Sequence, residues 1–89
     1  MSTPIKLRRY YDPGHGWLAV KTAHLQELGI ADKISIYSFQ RGQSTYLEKD
    51  RDARLYHEAL QARNIAVEIK DSHTNKSSPI RSYEVYKAA

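Results

Sequence analysis

The fold of this chain is decided by residues 5–20, which read IKLRRYYDPGHGWLAV. Apolar Ile5 and Leu7 alternate with charged or aromatic side chains, and this period of two predicts a strand over Ile5–Tyr11. The cluster Pro-Gly-His-Gly at 13–16 predicts a tight turn, and Trp17–Val20 then predicts an antiparallel partner strand. We therefore expect the fold to begin with a β-hairpin.

The remaining sequence predicts four more strands and two helices. Thr22 and Asp50 stand where side chains would cap the helix starts, and Gly29 and Asn64 stand where the helices would end with positive φ. The predicted helices are Ala23–Leu28 and Asp50–Arg63, and the further strands are Lys33–Phe39, Thr45–Glu48, Ala66–Lys70 and Ile80–Tyr86. The order ββαββαββ predicts a single α+β domain over residues 1–89, with an antiparallel sheet and both helices on one face. The side chains expected in the core are Leu25, Leu28, Ile34, Ile36, Leu55, Leu60, Val67 and Ile69.

Composition narrows the class of protein. A chain of 89 residues holds one small hydrophobic core. It has no cysteine, which excludes disulfides and thiolate metal sites. No apolar run reaches the roughly 20 residues of a membrane span, so we expect no membrane association, and the lack of cysteine is consistent with a cytoplasmic location. The net charge of +4 suits either ordinary solubility or contact with a polyanion.

The string Asp12-Pro13-Gly14-His15-Gly16 also has a catalytic interpretation. It resembles the opening motif of the zinc N-acetylmuramoyl-L-alanine amidases, in which the histidine is a metal ligand. Such a site needs a second histidine and an acid around the zinc, and His24, His57 and His73 show no paired spacing with His15. We therefore prefer the hairpin turn and predict no catalytic residue, no metal and no cofactor. A zinc hydrolase using His15 remains the minor alternative.

The acids near the second helix invite a similar question. Glu48, Asp50 and Asp52 alternate with Lys49 and with arginines, whereas a site for a hard cation gathers oxygen ligands. We interpret these acids as helix caps in a solvated first turn.

Aromatic and arginine side chains dominate the predicted strands. Alternation sends some of the rings to the face opposite the helices, near Arg8, Arg9, Arg41 and Arg81. Such a face can complete a core, form a protein interface or stack single-stranded nucleic acid. The candidate binding residues are Arg8, Arg9, Tyr10, His15, Trp17, Tyr37, Arg41, Arg81 and Tyr83.

Several strings along the chain resemble a family of small proteins found in bacteriophage, prophage and plasmid genomes. The strings are DPGHGWLAV at 12–20, LGIADKIS at 28–35, YLE at 46–48 and SPIRSY at 78–83. The family has no assigned activity or catalytic residues to transfer. The resemblance implies an accessory protein of a mobile element that acts in the cytoplasm of a host cell by binding a macromolecule. We expect the partner to be a host or defence protein, with nucleic acid as the alternative; the oligomeric state is left open.

Overall fold

The structure, a computed structural model, describes residues 3–88. Its main elements are β1 Ile5–Tyr11, β2 Gly16–Lys21, α1 Thr22–Glu27, β3 Phe39–Arg41, β4 Ser44–Glu48, α2 Asp52–Ala62, β5 Val67–His73 and β6 Glu84–Val85. Two 3-10 helices, Ala31–Lys33 and Pro79–Ser82, precede β3 and β6. The predicted α+β class and the order ββαββαββ are confirmed. None of the described helices has the length and apolarity to cross a bilayer.

The six strands form one sheet in the order β5-β1-β2-β4-β3-β6. All neighbours are antiparallel except β1 and β5, which run parallel, so the prediction of a wholly antiparallel sheet is wrong at this pair. The reason is the connection through α2. Strand β4 is antiparallel to β2, and β2 is antiparallel to β1, so β4 and β1 point the same way. The helix then carries the chain back over the sheet, and β5 enters beside β1 in that same direction.

The core lies between the sheet and both helices. Leu18, Val20 and Leu47 project from the sheet, and they meet Leu25 of α1 and Leu60 of α2 in one cluster of buried side chains. Burial of an aliphatic side chain of this kind contributes roughly 1.5–3 kcal/mol, so this layer is the main source of stability.

Most of the predicted core is confirmed. Leu25, Leu28, Ile34 and Leu60 are buried, and Leu55, Val67 and Ile69 are partly buried against the same cluster. Ile36 is the exception, because its side chain is 72% exposed.

Two predicted strands are much shorter in the structure. Residues 33–39 yield only the start of β3 at Phe39, and residues 80–86 yield a 3-10 helix followed by the two residues of β6. In both segments side chains compete with the sheet for backbone groups. The Asp52 carboxylate accepts the N–H of Ser35, and the Ser78 hydroxyl accepts the N–H of Ile80.

Both predicted N-caps are wrong, whereas both C-terminal positions are confirmed. Thr22 is the first residue of α1, and its hydroxyl oxygen lies 2.7 Å from that of Thr45 instead. Asp50 does not cap α2, because Glu48 accepts the backbone N–H groups of Asp50 and Arg51. Gly29 and Asn64 have φ of 73° and 55°, the left-handed conformation expected after a helix.

Candidate functional site

One face of the sheet is covered by the helices, and the opposite face carries aromatic rings. Directly paired residues share a face, so the register pairs Tyr10–Trp17 and Phe39–Tyr46 place all four rings away from the helices. Tyr83, just before β6, contacts Tyr46 on the same side. We call these five residues the aromatic face. The expectation that some strand rings lie opposite the helices is met here, whereas Tyr11 and Tyr86 lie on the other side.

The rings of the aromatic face touch in two groups. Tyr46 lies 6.3 Å from Tyr10 and 5.1 Å from Tyr83 between ring centroids, in tilted arrangements. Trp17 meets Phe39 edge-to-face at 6.3 Å. Trp17 is buried, but the other four rings are only partly covered, and burial raises the pKa of the Tyr46 hydroxyl. Such contacts fix the rings without hiding them, so they remain available to a partner.

Two arginines lie over rings of this face. The guanidinium of Arg41 is 5.0 Å from the Tyr83 centroid, and that of Arg81 is 5.5 Å from the Trp17 centroid. Both separations are within the range of cation–π attraction. The structure therefore brings together five of the candidate residues, Tyr10, Trp17, Arg41, Arg81 and Tyr83.

The two arginines of β1 lie on opposite faces. Arg8 is exposed beside Ala19 on the side of the aromatic face. Arg9 follows Ile5 and Leu7 at a spacing of two residues on β1, so it lies on the helix side of the sheet with them. The expectation that it joins the exposed rings is therefore wrong. There it donates to Asp71 at 2.8 Å and lies 5.4 Å from the Tyr11 ring centroid. Hydrogen bonding to Asp71 raises the pKa of Arg9.

The Asp-Pro-Gly-His-Gly string is held by Asp12, whose side chain is fully enclosed. One carboxylate oxygen accepts the N–H groups of Gly14 and His15 at 3.0 and 2.9 Å. The other accepts the N–H of Ser78 at 2.9 Å and the Nε–H of Arg81 at 2.6 Å. A backbone bond of 2.9 Å from the Asp12 N–H to the His15 oxygen closes the turn, as the hairpin prediction requires. Hydrogen bonding to Arg81 holds the pKa of Asp12 well below its usual range.

A cleft opens beside this turn. Its volume is about 420 Å³, within the usual size range of binding pockets in proteins. Trp17 and Phe39 form its floor, and Ile36 and Tyr37 stand on its rim with 72% and 66% of their surfaces exposed. The polar lining comes from His15, Glu48 and Arg81. The candidates His15 and Tyr37 thus belong to this cleft, and the His15 ring lies 5.8 Å from that of Trp17.

The rim of the cleft is anchored by a buried carboxylate. Asp52 is fully buried at the start of α2, so the interpretation of a solvated first turn is wrong for this residue. It accepts the N–H and the hydroxyl of Ser35, the latter at 2.7 Å, and the hydroxyl of Ser38 at 2.5 Å. The Ser38 hydroxyl in turn accepts the N–H of Glu48 at 2.9 Å. These bonds hold both ends of the segment that carries Ile36 and Tyr37.

Sequence patterns missed Ile36 and Asp52 for related reasons. Ile36 follows Ile34 at strand spacing, and that alternation predicted a second buried side chain. The signal that argues otherwise is the pair Ser35 and Ser38, two hydroxyl residues that satisfy a buried acid locally and break the strand. Only the three-dimensional approach of α2 reveals that Asp52 is that acid.

Within residues 3–88, no three histidine, aspartate or glutamate side chains are arranged to hold a metal ion. The amidase interpretation needs a second histidine and an acid beside His15, so the geometry lends it no support. Instead, the string 12–16 positions a turn and one side of the cleft.

No protein-family model, no curated protein and no solved structure matches this chain. Function must therefore be inferred from the geometry of the site.

Proposed function

We propose that this protein is a non-enzymatic binding protein whose cleft docks another protein. The observation that carries the proposal is the exposure of Ile36 and Tyr37 at 72% and 66% beside the floor of Trp17 and Phe39. Exposed apolar side chains grouped at a concave site are typical of interfaces, because water around them is released when a partner covers them. The neighbouring residue types support the same function, since Trp, Tyr and Arg are enriched among side chains that dominate binding energy.

Rigidity of the rim supports the same conclusion. A flexible loop would lose conformational entropy on binding, which weakens affinity. Here the bonds from Asp52 to Ser35 and Ser38 fix the segment before any partner arrives. The exposed side chains are therefore presented in one geometry, as in preorganised protein interfaces.

The resemblance to proteins of mobile elements suggests the class of partner. Accessory proteins of this kind typically bind host nucleic acid, a host enzyme or a defence complex, and we propose a host or defence protein as the occupant of the cleft. The partner would insert an apolar or aromatic side chain between Tyr37 and the Trp17–Phe39 floor, and its charged groups would face Glu48 and Arg81.

The test is capture of a partner from the natural host with matched variants. Wild-type protein, Tyr37→Ala and Gln61→Ala are used as baits, the last altering an exposed position of α2 remote from the cleft. We expect one or more host proteins captured by wild type and Gln61→Ala, retained after nuclease and in high salt, and lost with Tyr37→Ala. Capture that persists in Tyr37→Ala, or that disappears with nuclease, would contradict docking of a protein in the cleft.

A second candidate, binding of single-stranded nucleic acid, is favoured by the row Tyr10, Tyr46 and Tyr83 with Arg41 over its end. Rings on a sheet stack bases, and nearby cations such as Arg8 neutralise phosphates. Titration of a labelled oligonucleotide across a salt series tests this function. Binding through the aromatic face predicts a log–log slope of about −0.7 per phosphate contact that becomes shallower by one contact in Arg41→Gln. A slope equal in Arg41→Gln and wild type would argue against this surface.

A further inference from the structure

The sheet ends in two very different edges. Strand β6 closes one side with two residues, whereas β5 forms the other with seven, Val67–His73. Strand β5 pairs with β1 along its whole length and has no strand on its outer side within the described residues. A long edge strand offers unpaired N–H and C=O groups to another chain, and proteins usually shorten or cover such edges.

The orientation of the β5 backbone follows from two hydrogen bonds at its ends. The Ala66 oxygen accepts the N–H of Ile5 at 3.0 Å, and the Thr74 N–H donates to the Tyr11 oxygen at 2.9 Å. The N–H and C=O groups of one strand residue point to the same side, and the side alternates along the strand. Even-numbered residues therefore direct these groups to β1, and Val67, Ile69, Asp71 and His73 direct them outward.

We propose that a second copy of this chain pairs with β5 in antiparallel orientation, with Ile69 opposite Ile69 of the second copy. In this register the outward-pointing residues form the hydrogen-bonded pairs, as an antiparallel ladder requires. Glu68 then lies opposite Lys70 of the second copy, and the symmetry of the pair repeats that contact. Both side chains are exposed and lie on the side of the aromatic face, where the non-hydrogen-bonded pairing brings them close.

Charge selects this register over its neighbours. Because the backbone groups alternate, an allowed shift moves the pairing centre by one residue in either direction. Centring on Glu68 sets Glu68 against Glu68 of the second copy, and centring on Lys70 sets Lys70 against Lys70. Like charges directly opposite each other destabilise a strand pair, whereas opposite charges stabilise it. Only the centre at Ile69 turns both charged residues into attractive contacts.

The helix side of the same edge is compatible with this pairing. Val67 and Ile69 are partly exposed at the margin of the core, so pairing two copies covers apolar surface around the two-fold axis. The axis runs perpendicular to the sheet, and both aromatic faces therefore lie on one side of a continuous sheet. Each dimer would present two copies of the cleft in the same direction.

Charge reversal tests the proposal. Glu68→Lys sets two lysines against each other at each of the two contacts, and Lys70→Glu does the same with two glutamates. We expect sedimentation velocity over a concentration series to show a wild-type dimer, with the dissociation constant raised about tenfold or more in each variant. Each variant alone has like charges at both contacts, whereas a dimer of one variant with the other has opposite charges at both, so the mixed species is the discriminating measurement.

The charges in the mixed species follow from the register. One contact sets the introduced lysine of the first variant against the introduced glutamate of the second, and the other contact sets the native Glu68 of the second variant against the native Lys70 of the first. Both contacts are attractive, so a heterodimer should form with affinity near that of wild type. The double variant Glu68→Lys/Lys70→Glu should also dimerise, because it exchanges the two charges without changing their complementarity.

Formation of the heterodimer serves as the control for folding, because misfolded variants would not recover on mixing. Circular dichroism of each single variant tests folding independently. This control is needed because Lys6 and Arg8 of β1 lie beside Glu68 and Lys70, so each reversal also changes a charge contact within one chain. A wild-type chain that stays monomeric across the series would overturn the proposal. So would a dimer whose dissociation constant is unchanged by both reversals, or variants that show no preference for each other.

Discussion

Asp12 and Arg81, 69 positions apart in the chain, form a two-pronged ion pair with distances of 2.6 and 2.9 Å. The pair joins the turn of the first hairpin to the 3-10 helix before β6. Arg81 then lies over Trp17, so the same contact sets one wall of the cleft. The strings DPGHGW and SPIRSY, which are distant in sequence, thus form one structural unit.

Asp12→Asn should destabilise the fold and remove part of its sensitivity to acid. The folded pKa of Asp12 is depressed, chiefly by hydrogen bonding to Arg81. The stabilisation of the fold by Asp12 is therefore complete above the unfolded pKa of about 3.9, and it declines as the pH falls from there towards the depressed pKa of the folded state. Urea unfolding at pH 7 and at decreasing pH measures both effects. Asp71→Asn, which breaks the exposed pair with Arg9, is the control and should cost less at pH 7. Equal losses of unfolding free energy in the two variants would mean that Asp12 stabilises the fold no more than an exposed ion pair does.

Tyr56→Phe should weaken the dependence of stability on alkaline pH. Burial raises the pKa of Tyr56 to about 12. A raised pKa means that the stabilisation is complete below the unfolded value of about 10 and declines as the pH rises towards 12. The variant should show a shallower decline over that interval, with a residual slope from Tyr46 and Tyr86, whose pKa values are also raised. At pH 7 it loses the 2.8 Å bond to His24, at a cost of about 1 kcal/mol. A decline identical to wild type would refute the burial argument.

Gly16→Ala should be far more damaging than Gly14→Ala. A Cβ at Gly16 would lie 2.6 Å from two atoms of the Tyr11 ring, which itself stacks on His73 at 4.9 Å. We expect a loss of roughly 1–3 kcal/mol in the free energy of unfolding, typical of overpacking. At Gly14 the near atom is Arg81 Nη2 at 2.9 Å, the end of a long side chain that can shift slightly while its Nε keeps the bond to Asp12, so the loss should be smaller. Chemical denaturation of both variants decides the order.

Asp52→Ala should loosen the rim of the cleft as well as reduce stability. The substitution leaves the N–H of Ser35 and the hydroxyl of Ser38 without their acceptor, which is expected to cost roughly 2–4 kcal/mol. Hydrogen exchange should accelerate at residues 34–38 relative to β2. Exchange that rises uniformly over the chain would instead indicate a purely global effect.

Tyr37→Ala should leave stability almost unchanged, in contrast to Trp17→Ala. Tyr37 is 66% exposed, and surface substitutions usually shift the free energy of unfolding by less than about 0.5 kcal/mol. Trp17 is 3% exposed, and truncating a buried aromatic costs roughly 3–5 kcal/mol. Thermal and urea unfolding measure the contrast. A large loss in Tyr37→Ala would place that ring in the core and remove the basis of the docking proposal.

Local patterns in the sequence predicted the elements that depend on local physics. The hairpin over Ile5–Val20, the α+β order and the left-handed positions Gly29 and Asn64 all follow from alternation or turn chemistry. The direction of β5 depends on where α2 crosses the sheet, which no local pattern specifies. Exposure of Ile36 depends on Asp52, a residue whose burial is decided by the packing of α2.

The same division applies to the candidate site. Alternation on β1 placed Arg8 and Tyr10 together, and the same rule assigns Arg9 to the other face. The convergence of Trp17, Tyr37 and Arg81 around one cleft requires three segments to meet, so sequence could name these residues without placing them together.

The parallel pairing of β1 with β5 has a consequence for biosynthesis. Strand β1 is synthesised well before its outer neighbour β5, as the contact between Arg9 and Asp71 across 62 positions illustrates. The nascent hairpin therefore carries an open side until β5 has been synthesised, and in that interval it is exposed to proteases and to wrong strand partners. Contacts this distant also slow the final folding step, because a long loop must close before they form. Completion of this side of the sheet is thus coupled to synthesis of β5, and a truncation before β5 would leave β1 permanently half-paired.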